Sequence, residues 1–153
     1  MDLILWRHAE AQEPEGDMTD LDRTLTRRGD KQAARMAAWL DRQLPEGTRI
    51  LASPAVRTVQ TARALQRKFR PHDELLPGAA PEALLRVASG PDGKGPLLVV
   101  GHQPTLGETI SRVLGLAEPE CSVKKGAVWW LRSSERGSGL QTVVVTVQAA
   151  ELL

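Results

Sequence analysis

Two histidines in this chain each follow a short apolar run. His8 ends LILWRH (3–8), with Arg7 beside it, and His102 ends LLVVGH (97–102). An imidazole can attack phosphorus or move a proton near neutral pH. A guanidinium presents a planar fork of donors that matches phosphate oxygens. Arg57, in SPAVRTVQ (53–60), supplies a second fork. A phosphoryl group in transfer spreads charge over three oxygens, so its catalysis is mainly positioning and electrostatics. The residue types therefore read as one constellation. His8 is the nucleophile and forms a phosphohistidine that water later hydrolyses. Arg7 and Arg57 hold the phosphate oxygens, and His102 donates to one of them. Neither step calls for a metal or a cofactor.

These groups can meet only if the elements beneath them converge. Asp2 to Arg7 reads as a buried parallel strand, short and apolar. Glu10 to Leu25 is polar and reads as a loop, long enough to suggest a function. Thr26 is an N-cap, and Ala33, Met36, Ala37, Leu40 and Leu44 recur at helical spacing until Pro45 and Gly47. Arg49 to Ala52 is a second strand. Ser53-Pro54 reads as the cap and first residue of a helix running to Phe69 and stopped by Arg70-Pro71. Glu74 to Leu76 reads as an edge strand, Pro81 to Ala88 as a short helix, and Ser89 to Pro96 as a loop. Leu97 to Val100 is the clearest buried strand. Pro104 starts a helix that Gly115 ends. Glu118 to Lys125 is irregular. Ala127–Arg132 and Leu140–Val147 read as an antiparallel hairpin.

Strands alternating with helices predict one domain over residues 1–153, a three-layer α/β/α sandwich with a mostly parallel sheet and an antiparallel edge. Such sheets bind ligands at the carboxyl ends of their strands. Arg7-His8, Ser53 with Arg57, and Gly101-His102 would then share one edge.

Composition narrows the partners. The net charge of +1 gives no case for nucleic acid or an anionic membrane, and no apolar run is long enough to span one. The start MDLILWRHAE has no basic n-region, so no secretion signal is expected. Cys121 is the single cysteine, so no internal disulfide can form, which fits a cytoplasmic setting. A monomer is expected.

The segments RHA (7–9), LTRRG (25–29), SPAVRTVQTA (53–62) and GHQP (101–104) together resemble the histidine phosphatase superfamily, the phosphoglycerate-mutase-like fold. More narrowly, SP..R..QTA, LP at 76–77, GHQP and the lack of a large insertion are similar to phosphohistidine phosphatases of the SixA type. The resemblance runs to about residue 115. It implies a phosphate pocket of Arg7, His8, Arg57 and His102, with His8 as nucleophile and Arg23 beside the site. Ala9 stands where most members have Gly, and Thr24 where SixA-like members often have Pro. The resemblance also offers a general acid, Glu82, after the turn at 76–81, with Glu10 and Asp17 as competitors. SixA-like proteins lack a well-defined acid. A phosphohistidine substrate would release an imidazole with a pKa of about 6.5, which needs less protonation than an alkoxide. A small, open site suits phosphohistidine on a protein. The alternatives are a small-molecule phosphomonoesterase acting on a phosphorylated metabolite (sugar, nucleotide or cofactor phosphate), and a non-catalytic phosphate-binding module.

Overall fold

The computed structural model describes residues 1–90 and 95–153. In chain order the elements are β1 (Asp2–Arg7), α1 (Arg27–Gln43), β2 (Arg49–Ala52), α2 (Val56–Arg63), β3 (Arg70–Pro71), α3 (Pro81–Ala88), β4 (Leu97–Gly101), α4 (Thr105–Leu114), β5 (Val128–Arg136) and β6 (Gly139–Gln148). The strands form one sheet in the order β3-β2-β4-β1-β5-β6. β1 to β4 run parallel where they pair, while β5 and β6 are antiparallel to their neighbours. The sheet draws on the chain from residue 2 to residue 148.

Alternation along the strands divides the core. Ile4 and Trp6 face one side with Met36 and Leu40 of α1 and Ala62 of α2. Leu5 faces the other with Leu84 of α3 and Leu106 and Ile110 of α4. Helices cover both faces, giving the three-layer α/β/α arrangement. A strand buried on both faces cannot carry polar residues between its ends, so the chemistry is pushed to the strand termini.

α1 begins as expected: the Thr26 hydroxyl accepts from the Gly29 N–H at 2.9 Å. Gly29 is required by packing, because a Cβ there would overlap the Glu10 carbonyl oxygen. The segment between β1 and α1 is not structureless. An Ala11–Leu25 bridge closes its base, the Gln12 N–H donates to Thr24 O at 2.7 Å, and Asp20–Asp22 forms a 3-10 turn.

Three expectations change. Ser53 does not cap α2; Ala55 occupies the cap position, and the Ser53 hydroxyl is used elsewhere. α2 stops at Arg63 rather than Phe69, since Gln66 takes a left-handed φ of 56°. Leu65 and Phe69 still pack on the core from the irregular segment that follows. The edge strand is Arg70–Pro71, paired with Leu51 and Ala52, and not Glu74–Leu76. Pro71 has no N–H to donate and suits an edge, while Asp73–Leu75 folds into a 3-10 turn. Half of the loop expected at Ser89–Pro96, residues 91–94, lies outside the described residues. The hairpin forms, and its last strand leaves Leu140, Val143, Val144, Val145 and Val147 exposed. No helix among the described residues is long and apolar enough to cross a membrane.

Candidate active site

Neighbouring strands β1 and β4 send their helices to opposite faces. Parallel sheets bind ligands in the crevice at such a switch point. The register pairs Arg7 with Gly101, and the His8 N–H donates to Gly101 O at 3.1 Å. On the other side of β4 the Ser53 N–H donates to Val100 O at 3.0 Å. His8, His102 and Ser53 therefore stand in a row along one sheet edge. The imidazole centroids of His8 and His102 lie 5.3 Å apart.

The hydrogen bonds of His8 decide its tautomer. Its Nδ1 lies 2.7 Å from the Ala9 carbonyl oxygen, which can only accept. Nδ1 therefore carries the proton, and Nε2 keeps a free lone pair. Burial, reinforced by the charges of Arg57, Arg7 and Arg23, lowers the His8 pKa to about 4, so the ring is neutral at neutral pH. Ala9 is fully buried beside Ala11, Leu25 and Ala33, so the methyl group it adds over glycine is accommodated in packing.

His102 is held in the complementary way. Its Nε2 is 2.8 Å from Ser53 Oγ, and that oxygen also accepts from the Ala55 N–H at 3.2 Å. When the hydroxyl donates to Nε2, the proton of the neutral ring sits on Nδ1, which is buried with no partner. Burial and the neighbouring His8 lower the His102 pKa to about 3.

The two arginines are oriented by main-chain oxygens. Arg7 Nη1 donates to Val123 O at 2.8 Å, and Arg57 Nη1 donates to Asp20 O at 2.7 Å. In each, Nε is buried and unpartnered. The Nε/Nη2 edge of a guanidinium is one of its bidentate faces toward phosphate. Three buried nitrogens without partners belong to residues gathered around His8: Arg7 Nε, Arg57 Nε and His102 Nδ1. Orphaned buried polar groups are costly in folded proteins, and positive charge concentrated at a neutral imidazole favours a bound anion.

Arg23 lies beside this group. Its Nε donates to Gln12 O at 2.6 Å, and its Nη1 pairs with Asp20 Oδ1 at 3.1 Å. The Asp20 carboxylate also meets Arg57 Nη2 at 3.1 Å, so one acid joins both arginines. Asp20 was not singled out by the sequence, and neither was Ser53 as the partner of His102. An acid three residues before Arg23 was the only available signal for the former.

None of the three candidate acids is hydrogen-bonded to either histidine. Glu82 is exposed and pairs with Arg112 at 2.8 Å. A hydrogen bond from its own backbone N–H, together with Arg112, holds its carboxyl below the usual range. Glu10 turns toward α1, where Oε2 accepts from the Thr26 hydroxyl at 2.7 Å. Asp17 is exposed in a turn of the loop before α1. Among the described residues no group of three or more His, Cys, Asp or Glu side chains is placed to hold a metal ion.

Known proteins resemble this chain in sequence and in fold. Residues 3–78 match the histidine phosphatase superfamily (branch 1). An uncharacterized protein of Picosynechococcus sp. is 33% identical over 143 residues, covering 87% of this chain and 86% of its own. A protein from Agrobacterium tumefaciens assigned as phosphohistidine phosphatase SixA superposes with a TM-score of 0.82 at 24% identity, covering 97% of each chain. The protein histidine phosphatase SixA in complex with tungstate superposes with a TM-score of 0.81 at 23% identity, covering 99% of each chain. Sequence and fold agree: the chain belongs to the histidine phosphatase superfamily and is SixA-like in structure.

Proposed function

We propose that this protein hydrolyses phosphohistidine on a protein substrate, through a covalent phosphohistidine of its own on His8. The observation that carries the reading is the His8 Nε2 lone pair, fixed by the Nδ1–Ala9 bond in a ring that feels the charges of Arg57, Arg7 and Arg23. The substrate phosphoryl group sits against Arg7, Arg57 and His102 Nδ1–H, with Arg23 contributing charge. Nε2 of His8 attacks phosphorus in line. The P–N bond of the substrate breaks, its electron pair leaves with the substrate imidazole, and that nitrogen takes a proton from solvent. Water then attacks the phosphohistidine, the P–Nε2 bond breaks with its electron pair returning to His8, and hydrogen phosphate leaves with one of the water protons while the other passes to solvent. Charge stabilisation is assigned to the guanidiniums rather than to a metal, so turnover should persist in a chelator.

The leaving group bears on the missing acid. An imidazole departs with a pKa of about 6.5, far below an alkoxide. A site whose nearby carboxylates are engaged elsewhere or exposed suits that leaving group better than an alkyl ester. The deciding experiment is a substrate panel of a phosphohistidine protein, p-nitrophenyl phosphate and alkyl phosphates of metabolites. Wild type, His8→Ala and Glu82→Gln are compared, with EDTA present. Phosphohistidine and the aryl ester should turn over and alkyl esters lag, by about 100-fold or more if protonation of an alkoxide is what is missing. His8→Ala should be inactive on all, and Glu82→Gln should match wild type. Equal rates on alkyl esters and phosphohistidine would remove the substrate assignment. Residual activity in His8→Ala would remove the nucleophile.

A further inference from the structure

Five buried side-chain nitrogens among the described residues have no hydrogen-bond partner. Three belong to the site above. The other two are Nε and Nη2 of a single residue, Arg49. They are the parallel pair of N–H groups along one edge of a guanidinium, the edge that takes a carboxylate or phosphate with two bonds. Arg49 opens β2, at the end of that strand away from Ser53 and the histidines.

The surroundings are cationic. Arg49 and Leu51 point to the same side of β2, and the register places Arg70 of β3 opposite Leu51. Arg86 comes across from α3, and His72 follows β3. Together with Glu74 they line a cavity of about 270 Å³. Among the described residues Glu74 is the only carboxylate in that lining, and it pairs with Arg86 at 3.6 Å. The Glu74 N–H donates to His72 Nδ1, which leaves the proton of a neutral His72 on Nε2 as a further donor. Three guanidiniums against one carboxylate leave a surplus of two positive charges. Like charges gathered from three elements are unfavourable unless an anion joins them.

The geometry points to a second anion site: the pocket formed by Arg49, Arg70, His72 and Arg86 binds a phosphoryl oxyanion, toward which the Arg49 side chain turns its unpartnered guanidinium edge on binding. Its volume is just below the range of about 300 to 1,000 Å³ typical of drug-sized ligands. It fits a phosphate or a phosphoryl group with a few attached atoms. The site uses no residue of the His8 pocket, so it stands whether or not the hydrolase reading holds.

Amide chemical shifts of the full-length chain provide the test. Two probes are titrated at constant ionic strength, with chloride as the control. Inorganic phosphate represents the free ion, and methylphosphonate represents a phosphoryl group carried on a larger molecule. Shifts are expected in two sets, one near His8 and His102, the other at Leu51, Arg70 and Val87. Arg49→Met should weaken the second set by about tenfold or more, and Arg49→Lys, which keeps the charge but loses the fork, nearly as much. Arg70→Gln, at an exposed position, should weaken it less. All three should retain the first set and wild-type hydrolysis of p-nitrophenyl phosphate. Response to methylphosphonate as well as phosphate marks a site for a carried phosphoryl group, and response to phosphate alone marks a site for the free ion; either supports the site. Three results would overturn it: no second set with either probe, a second set that chloride reproduces, or one that persists unchanged in Arg49→Met and Arg70→Gln.

Discussion

Proton placement at the two imidazoles rests on unlike partners. His8 leans on a carbonyl and so exposes a lone pair, while His102 leans on a hydroxyl, which can serve the tautomer that presents a proton. Ser53 is the residue that separates their roles. Ser53→Ala removes the hydrogen bond that favours the Nδ1–H form of His102 and leaves Nε2 buried without a partner. Loss of a buried hydrogen bond costs about 1 kcal/mol, so kcat should fall roughly five- to tenfold. KM should change less, because on the proposed reading Arg7 and Arg57 are the groups that hold the phosphate. A loss confined to KM would mean that Ser53 does not act through His102. The two histidines and Arg57 were legible because each sits at a strand–helix junction, where residue type and position carry information. Asp20 was not. Its reach to Arg57 spans 37 residues and depends on how a polar loop docks. The Val123 carbonyl that holds Arg7 is a main-chain group that no sequence pattern marks.

The strand–helix junctions differ in how firmly the sequence specified them. β1, β2, β4 and α1 follow from apolar runs and from a capping threonine. α2 was read too long, because Leu65 and Phe69 pack like helical residues while the chain between them turns through Gln66. The edge strand was misplaced because a two-residue pairing with β2 leaves almost no periodic trace. The segment joining β1 to α1 shows the cost of a single Cβ. Gly29 lies against the Glu10 carbonyl, two residues beyond His8. Gly29→Ala would push Glu10 and α1 apart. Strain of this kind costs about 1–3 kcal/mol, so a clear drop in Tm is expected. Activity should fall more than folding alone explains, since the displaced chain carries the Ala9 carbonyl that orients His8. A variant with wild-type Tm and turnover would show that the contact relaxes freely.

Across the molecule, burying two neutral imidazoles ties stability to pH. In the unfolded chain they return toward 6.5, while in the fold His8 is held near 4 and His102 near 3. Between about 4 and 6.5 the unfolded chain therefore binds more protons than the folded one, and stability falls as pH drops through that window. Thermal unfolding followed from about pH 7 to pH 5 should show a declining Tm. The double variant His8→Asn, His102→Asn should decline less steeply, and equal slopes would show that neither imidazole contributes. The strand order came only with the structure, whereas the shared strand edge that assembles the site followed from the parallel-strand reading. The cationic pocket on β2 did not, since Arg49 and Arg70 lie 21 positions apart and look like ordinary surface charge. The manner in which Arg7 and Arg57 are held has a genetic consequence. Their Nη1 groups rest on the carbonyls of Val123 and Asp20, and a carbonyl survives any codon change. What selection can act on there is the side chain: a buried apolar one at 123 and a carboxylate shared by two arginines at 20. A saturation library should therefore accept small and medium apolar residues at 123, reject charged ones there, and be intolerant of every change at residues 7 and 57.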